Sequence, residues 1–254
     1  MTFPLKESYN SIIPLDIYQT WSSKELPTKM KSFRDQMIQE NPEFTFHLYD
    51  DEDCAKFIQE YFHPLVLWAY QSLKPGAYKA DLWRYCILFI KGGIYVDIKY
   101  RPINGFHFIA LTEKNYFVKD FSFIKKKEIA AKNGGIYNAL LISTPHNPIF
   151  QKCIQSIVMN VKNRFYGVNP LSPSGPLLLK HMISEDEKKK IQMQFHRIKE
   201  IILYQGIPIL QYYPDYRKEQ KKTNPNNHYH ELWTNKDIYK KIPFPLVSEK
   251  IQDL

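Results

Sequence analysis

The chain has 254 residues, of which 44% are hydrophobic and 15% aromatic, and it carries a formal net charge of +9. This hydrophobic content excludes an intrinsically disordered protein and is enough for one large core. No apolar run approaches the roughly 18 residues that a membrane-spanning helix needs, and the N-terminal residues lack the pattern of a signal peptide. We therefore expect a soluble single domain over residues 1–254, without a membrane span.

The positive charge and the cysteines point away from two other classes of protein. The lysines are scattered in short clusters, so we interpret them as solvated loops and helix ends and expect no nucleic-acid partner. Cys54, Cys86 and Cys153 are odd in number and widely spaced, which fits neither a disulfide framework nor a metal cluster. We expect three buried thiols in a reducing compartment.

Hydrophobic periodicity predicts strands that alternate with helices early in the chain, followed by a mixture of strands. The predicted strands span residues 11–21, 44–49, 94–99, 115–119, 136–143, 194–203 and 207–212. The predicted helices span about residues 27–40, 50–62, 64–73, 77–90 and 148–165, with a short one from 177. This order indicates an α/β domain with a mixed central sheet flanked by helices.

The predicted helix over residues 77–90 carries two charges that a core helix does not need. Asp81 and Arg84 lie three positions apart and therefore share a face. They are either an internal salt bridge that tethers the helix or part of a site for a charged ligand.

The residues after this helix favour a ligand site. Gly92 and Gly93 allow a sharp turn and a close approach to the backbone. In the strand that follows, alternation places Tyr95, Asp97 and Lys99 on the side opposite the core. Ligands commonly bind at strand ends in α/β sheets, so Asp97 is a candidate for a polar site.

These residues resemble a known signature, that of the glycosyltransferases with a DXD sugar-binding motif, the family of the yeast-type initiating mannosyltransferases (glycosyltransferase family 32). Its pattern K-A-D-x-x-R-Y-x-x-L-x-x-x-G-G-x-Y-x-D-x-D is matched by Lys79, Ala80, Asp81, Arg84, Tyr85, Leu88, Gly92, Gly93, Tyr95 and Asp97. Segments at residues 12–21, 41–51, 138–148, 174–176 and 228–233 are similar to further family motifs. The resemblance covers about residues 11–240.

The resemblance implies a GT-A fold and the transfer of a hexose from a UDP- or GDP-sugar to a glycan, protein or other hydroxyl acceptor, with retention of the anomeric configuration. It implies a nucleotide-sugar-binding half over about residues 11–105 and an acceptor side over about 106–254. The implied catalytic residues are Asp81, Arg84, Asp97 and Lys99. The implied donor-binding residues are Thr20, Trp21, Tyr85, Gly93, Tyr95, Asn138, Ser174 and Gly175. A strand-end hydrogen bond for Asn138, and an ordinary loop around Ser174, are equally compatible with the sequence.

The chain departs from the motif at its second acid, because it reads Asp97-Ile98-Lys99. In the family that carboxylate binds Mn²⁺ or Mg²⁺, and the resemblance implies such a metal, held by Asp97 with His228 or His230. A lysine would repel it, since two unit charges ~4 Å apart interact by about 4 kcal/mol at an effective dielectric constant near 20. Three interpretations stay open: Lys99 points away from the metal, it partly replaces the metal, or the site binds the donor without catalysis.

An inactive nucleotide-sugar-binding protein explains the motifs as well as an enzyme does, whereas nucleic-acid binding explains only the net charge. Eukaryotic members of the family are often anchored Golgi proteins. Without an apolar segment of that kind, we expect a cytoplasmic enzyme, which would act in the host cytoplasm if its source is viral.

Overall fold

The computed structural model of the protein describes residues 2–120, 134–223 and 229–245. The strands are β1 (Asp16–Thr20), β2 (Thr45–Tyr49), β3 (Gly93–Val96), β4 (Tyr100–Pro102), β5 (Tyr116–Asp120), β6 (Ile136–Ser143), β7 (Met193–His196), β8 (Ile201–Tyr204) and β9 (Ile207–Tyr212). The helices are α1 (Thr28–Glu40), α2 (Asp51–Tyr61), α3 (Pro64–Ser72), α4 (Gly76–Lys91), α5 (Pro148–Lys162), α6 (Pro176–Met182), α7 (Glu185–Lys190), α8 (Tyr216–Thr223) and α9 (Tyr229–Thr234), with a 3₁₀ helix at Phe108–Leu111.

The strands form one mixed sheet in the order β2-β1-β3-β6-β5-β7-β8-β9-β4. Strand β1 runs parallel to β2 and β3, and β5 runs parallel to β7. Strand β6 is antiparallel to both β3 and β5, and the remaining pairs are antiparallel. The predicted α/β class with a mixed sheet is confirmed.

Strand β3 lies in the middle of the core because both of its faces are covered. Tyr95 joins the aromatic cluster under α4 and α5, while Ile94 and Val96 join the cluster on the opposite face. All three side chains are almost fully buried. The residues that follow β3 therefore leave the sheet from a fixed position.

The two glycines between α4 and β3 have a structural reason. Gly92 and Gly93 have φ angles of +67° and +95°, a region that favours glycine. An added Cβ on Gly93 would lie 2.7 Å from the carbonyl oxygen of Asp16, and one on Gly92 would lie 2.7 Å from the ring of Pro145. The close approach to these glycines is thus made by other parts of the chain, β1 and the residue Pro145 after β6, and not by a ligand.

The predicted strand over residues 94–99 is too long. Strand β3 ends at Val96, and the amide of Tyr100 donates to the carbonyl of Asp97 at 3.1 Å, which closes a turn. The chain then changes partner, because β3 pairs with β6 whereas β4 pairs with β9. Asp97 and Lys99 therefore lie in a turn, and the alternation of side chains along a strand does not explain why they are close together.

Other differences concern the first strand, one of the later strands and the short elements. The first predicted strand, over residues 11–21, begins only at Asp16. The predicted strand over 194–203 is a hairpin of β7 and β8, which turns at Glu200 with φ of +52°. The short elements β4, α7, α8 and α9 were not predicted, since each is shorter than a clear periodic pattern.

Two expectations from composition concern the cysteines and membrane spans. Cys54, Cys86 and Cys153 are buried free thiols, as predicted. Across the ranges given above, no helix has both the length and the apolar character required to cross a bilayer.

Candidate functional site

The four residues predicted to be catalytic form one connected cluster. Arg84 lies between two carboxylates, with Nη2 3.4 Å from Oδ1 of Asp81 and Nη1 3.5 Å from Oδ1 of Asp97. The Nζ atom of Lys99 lies 2.5 Å from Oδ2 of Asp97. Helix α4 thus supplies one half of the cluster, and the turn after β3 supplies the other.

Asp81 is held inside the protein by neutral donors. The side-chain amide of Asn138 donates to its Oδ1, and the hydroxyl of Ser174 donates to its Oδ2, each at 2.8 Å. An added Cβ on Gly175 would lie 3.2 Å from the same Oδ2. Burial raises the pKa of Asp81, although Arg84 and the two donors counteract it.

Arg84 has a fixed orientation. Its Nε donates to the carbonyl of Ala80 at 3.0 Å, and its Nη1 donates to the carbonyl of Asn138 at 2.5 Å. The guanidinium lies 4.3 Å from the ring centre of Tyr95, a cation–π contact. Burial alone would lower the pKa of Arg84, but Tyr95 and Asp97 raise it above its ordinary value, so the group stays charged.

Asp97 is the more accessible carboxylate. Its side chain is 21% exposed, against 10% for Asp81. The hydroxyl of Tyr95 donates to its Oδ1 at 2.7 Å, while Lys99 occupies its Oδ2. Burial alone would raise the pKa of Asp97, but the charges of Lys99 and Arg84 lower it. The carboxylate of the cluster that is more exposed to solvent therefore stays ionised.

Three tyrosines around Lys99 were missed by the sequence reasoning. The Nζ atom lies 5.6 Å from the ring centres of Tyr100 and Tyr137 and 5.0 Å from that of Tyr212. The hydroxyl of Tyr100 donates to that of Tyr137 at 2.9 Å, and the hydroxyls of Tyr137 and Tyr212 lie 3.0 Å apart. These residues come from β4, β6 and β9, so only Tyr100, beside Lys99 in sequence, offered a signal.

Some of the predicted donor-binding residues form buried hydrogen bonds that hold the cluster in place. Tyr85 is completely buried, accepts a bond from the amide of Asn138 at 3.2 Å and donates to the carbonyl of Ser174 at 3.3 Å. The predicted contacts of Tyr85, Tyr95, Asn138, Ser174 and Gly175 with a donor stay predictions, but their position beside Asp81 and Asp97 is compatible with them.

Thr20 ends β1 and Trp21 follows it, and β1 runs parallel to β3 with Tyr18 opposite Tyr95. The hydroxyl of Thr20 and the amide of Trp21 both donate to the carbonyl of Tyr49, at 3.0 and 3.1 Å. Trp21 is half-buried. Within the residues that the structure describes, these hydrogen bonds do not join Thr20 or Trp21 to the charged cluster, so a role in base binding stays a prediction.

The residues around Asp97 do not fit a divalent cation. His228, one predicted ligand, lies outside the described residues, and His230 lies exposed on α9. Among residues 2–120, 134–223 and 229–245, no group of three or more His, Cys, Asp or Glu could hold a metal ion. Mn²⁺ and Mg²⁺ prefer carboxylate oxygen, yet both oxygens of Asp97 already accept from Tyr95 and Lys99. An ammonium has no lone pair to offer a metal.

Comparison with known families confirms the predicted resemblance. Residues 27–118 match the family described as the glycosyltransferase sugar-binding region containing DXD motif. This region contains α4, β3 and the turn at residues 97–99, and therefore all four charged residues of the cluster.

The chain is also similar to individual proteins. It is 28% identical over 174 residues to the mannosyl phosphorylinositol ceramide synthase CSH1 of Saccharomyces cerevisiae, covering 68% of this chain and 43% of the relative. It is 32% identical over 102 residues to the initiation-specific alpha-1,6-mannosyltransferase of Candida albicans, covering 38% of this chain and 26% of the relative. The chain thus spans less than half the length of these curated relatives.

A solved structure, the PaToxG glycosyltransferase, superposes with a TM-score of 0.51 at 15% identity, covering 68% of this chain and 70% of that one. At this level of identity the likeness concerns the fold alone. The fold is GT-A, as predicted.

Proposed function

We propose that this chain, a relative of the glycosyltransferases with a DXD sugar-binding region, transfers a hexose from a UDP- or GDP-sugar to a hydroxyl of a glycan or protein. The observation that carries the proposal is the convergence of Asp81, Arg84 and Asp97 on one cluster, in which Asp97 is the more exposed carboxylate. The mannosyltransferases among its relatives support the activity.

The Asp81 end suits a sugar. Hydroxyl groups donate and accept hydrogen bonds, and an ionised carboxylate can accept about four. Ser174 and Asn138 each donate one bond to Asp81, which leaves capacity for sugar hydroxyls. We infer that Asp81 and Arg84 orient the hexose.

The Asp97 end suits the diphosphate. In the proposed reaction the bond between the anomeric carbon and the β-phosphate oxygen breaks, and its electron pair stays on the phosphate. The acceptor oxygen bonds to the anomeric carbon on the face that the phosphate leaves, which retains the configuration, and the hydroxyl proton passes to a β-phosphate oxygen. Preorganised cations that stabilise developing charge are usually the largest contribution to such a step. Arg84 and Lys99 supply these charges.

Thermal unfolding of the protein with a panel of UDP- and GDP-sugars tests the proposal. A ligand present at 100 times its dissociation constant stabilises the folded state by about 2.7 kcal/mol, so one class of nucleotide should raise Tm by several degrees. The same donor should then release free sugar slowly or glycosylate an added acceptor.

Asp81→Asn is the test variant and Asp186→Asn its matched control, since Asp186 is exposed on α7 and pairs with Lys189 at 2.9 Å. Only Asp81→Asn should reduce the effect of the sugar nucleotide. If no UDP- or GDP-sugar shifts the transition, the proposal is wrong. Binding without release or transfer of sugar would identify an inactive nucleotide-sugar-binding protein instead.

A further inference from the structure

Lys99 stands at the second acidic position of the DXD motif, and its backbone is fixed there from two sides. The amide of Asp97 donates to the carbonyl of Ala139 on β6 at 2.9 Å. The carbonyl of Lys99 accepts from the amide of Tyr213, directly after β9, at 2.9 Å. The backbone of Lys99 cannot leave this turn unless one of these contacts with the sheet breaks.

The charged end of the Lys99 side chain is surrounded by aromatic rings. An ammonium within about 6 Å of an aromatic ring centre is attracted by the ring. Three tyrosines, Tyr100, Tyr137 and Tyr212, satisfy that distance, and their hydroxyls are joined by hydrogen bonds. The fold therefore builds a site for a positive charge, and Lys99 itself fills it.

The charges of the cluster are balanced before any donor binds. Arg84 and Lys99 offset Asp81 and Asp97, so a divalent ion would add two positive charges to a neutral group. It would also compete with Lys99 for the Oδ2 atom of Asp97. The oxygens of an incoming diphosphate could instead accept hydrogen bonds from the ammonium of Lys99.

Lys99 is also partly exposed to solvent. Its side chain is 15% exposed, compared with 6% for Arg84. An ammonium has three N–H donors, and Asp97 accepts one of them. Phosphate oxygen is a suitable acceptor for another, since hydrogen bonds between ionised groups are short and strong.

We propose that Lys99 is a built-in cation that contacts the donor diphosphate in the place where the family motif would hold a metal, so that donor binding does not require a divalent ion. This inference rests on the proposed function. It differs from a purely structural role, in which Lys99 would only neutralise Asp97 and its loss would lower stability without a specific effect on nucleotide affinity.

Isothermal titration of the protein with UDP and GDP, in EDTA and again in Mn²⁺, tests the inference. The nucleotide that binds should do so in EDTA, with a dissociation constant within about threefold of its value in Mn²⁺. Lys99→Met should weaken binding in EDTA by roughly 10- to 150-fold, the usual range for a hydrogen bond to a charged group.

Two further variants separate charge from folding. Lys99→Arg keeps the positive charge and should retain more affinity than Lys99→Met. Lys152→Met removes an exposed lysine from α5 and should leave affinity unchanged. Urea unfolding of each variant establishes that the titrated protein is folded.

The possible failures are distinguishable. If the wild-type protein binds nucleotide in Mn²⁺ and not in EDTA, the inference is overturned and the proposed function stands. Unchanged affinity of a folded Lys99→Met protein in EDTA also overturns the inference. If neither UDP nor GDP binds under either condition, the proposed function itself is wrong.

Discussion

Asp81 and Asp97 both pair with Arg84, yet their surroundings are opposite. Asp81 is enclosed and receives hydrogen bonds from the neutral groups of Asn138 and Ser174, and burial raises its pKa. Asp97 is more exposed and has a lysine at 2.5 Å, and its pKa is lowered. Neutral donors and acceptors suit sugar hydroxyls, whereas cations suit phosphate. One arginine can therefore position two carboxylates whose surroundings suit different groups of a ligand.

The largest expected effect comes from removing the shared partner. Arg84→Met would leave two carboxylates without their common guanidinium, and breaking a buried ion pair typically costs about 3–5 kcal/mol. Urea unfolding should show a loss of free energy of unfolding in this range, together with loss of sugar transfer.

Arg217→Met is the matched control, because Arg217 is 58% exposed and pairs with Glu200 at 3.1 Å. An exposed pair contributes at most about 1 kcal/mol. Similar losses for the two variants would contradict the view that Arg84 holds both ends together.

A smaller effect is expected at the Asp81 end. Ser174→Ala removes the donor to Oδ2 at a side chain that is itself fully buried, and an unsatisfied buried group costs about 1–3 kcal/mol. Ser23→Ala, which removes an exposed hydroxyl bonded to the carbonyl of Glu25 at 2.9 Å, should change the free energy of unfolding by less than about 0.5 kcal/mol. Equal values for the two serines would show that the hydrogen bond from Ser174 to Asp81 contributes no more than an exposed one.

The smallest effect is expected at the Asp97 end. Tyr95→Phe removes the hydroxyl that donates to Oδ1, but Asp97 keeps Lys99 and Arg84 and is partly open to solvent. A water molecule can replace much of a lost hydrogen bond, so we expect a loss of no more than about 1 kcal/mol in urea unfolding. A loss of free energy of unfolding larger than that of Ser174→Ala would contradict the view that the Asp97 end is the more exposed one.

The half of the cluster on helix α4 could be predicted from the sequence, because it depends only on the spacing of residues along one helix. Asp81 and Arg84 face the same way because they are three apart on one helix, and that relation needs no knowledge of the sheet. Its position at a strand end made Asp97 a candidate, the family motif assigned it to the same site, and the structure places it 3.5 Å from Arg84.

The other half depends on contacts between distant segments. The turn at residues 97–100 forms where the chain stops pairing with β6 and begins to pair with β9. The alternation of side chains along one strand cannot predict such a change of partner. The enclosure of Lys99 needs Tyr137 and Tyr212, which lie on strands whose order in the sheet cannot be read from local pattern. The hairpin at residues 193–204 was missed for a different reason, since the residues between its strands, 197–200, include no glycine, proline or asparagine to mark a turn.

The sugar-binding end can be tested directly by measuring the affinities of a sugar nucleotide and of the corresponding nucleoside diphosphate for wild type and Asp81→Asn. We predict that wild type prefers the sugar nucleotide and that Asp81→Asn loses most of this preference, while its affinity for the nucleoside diphosphate stays nearly the same. Equal weakening of both ligands, or an unchanged preference, would contradict the assignment of Asp81 to the sugar.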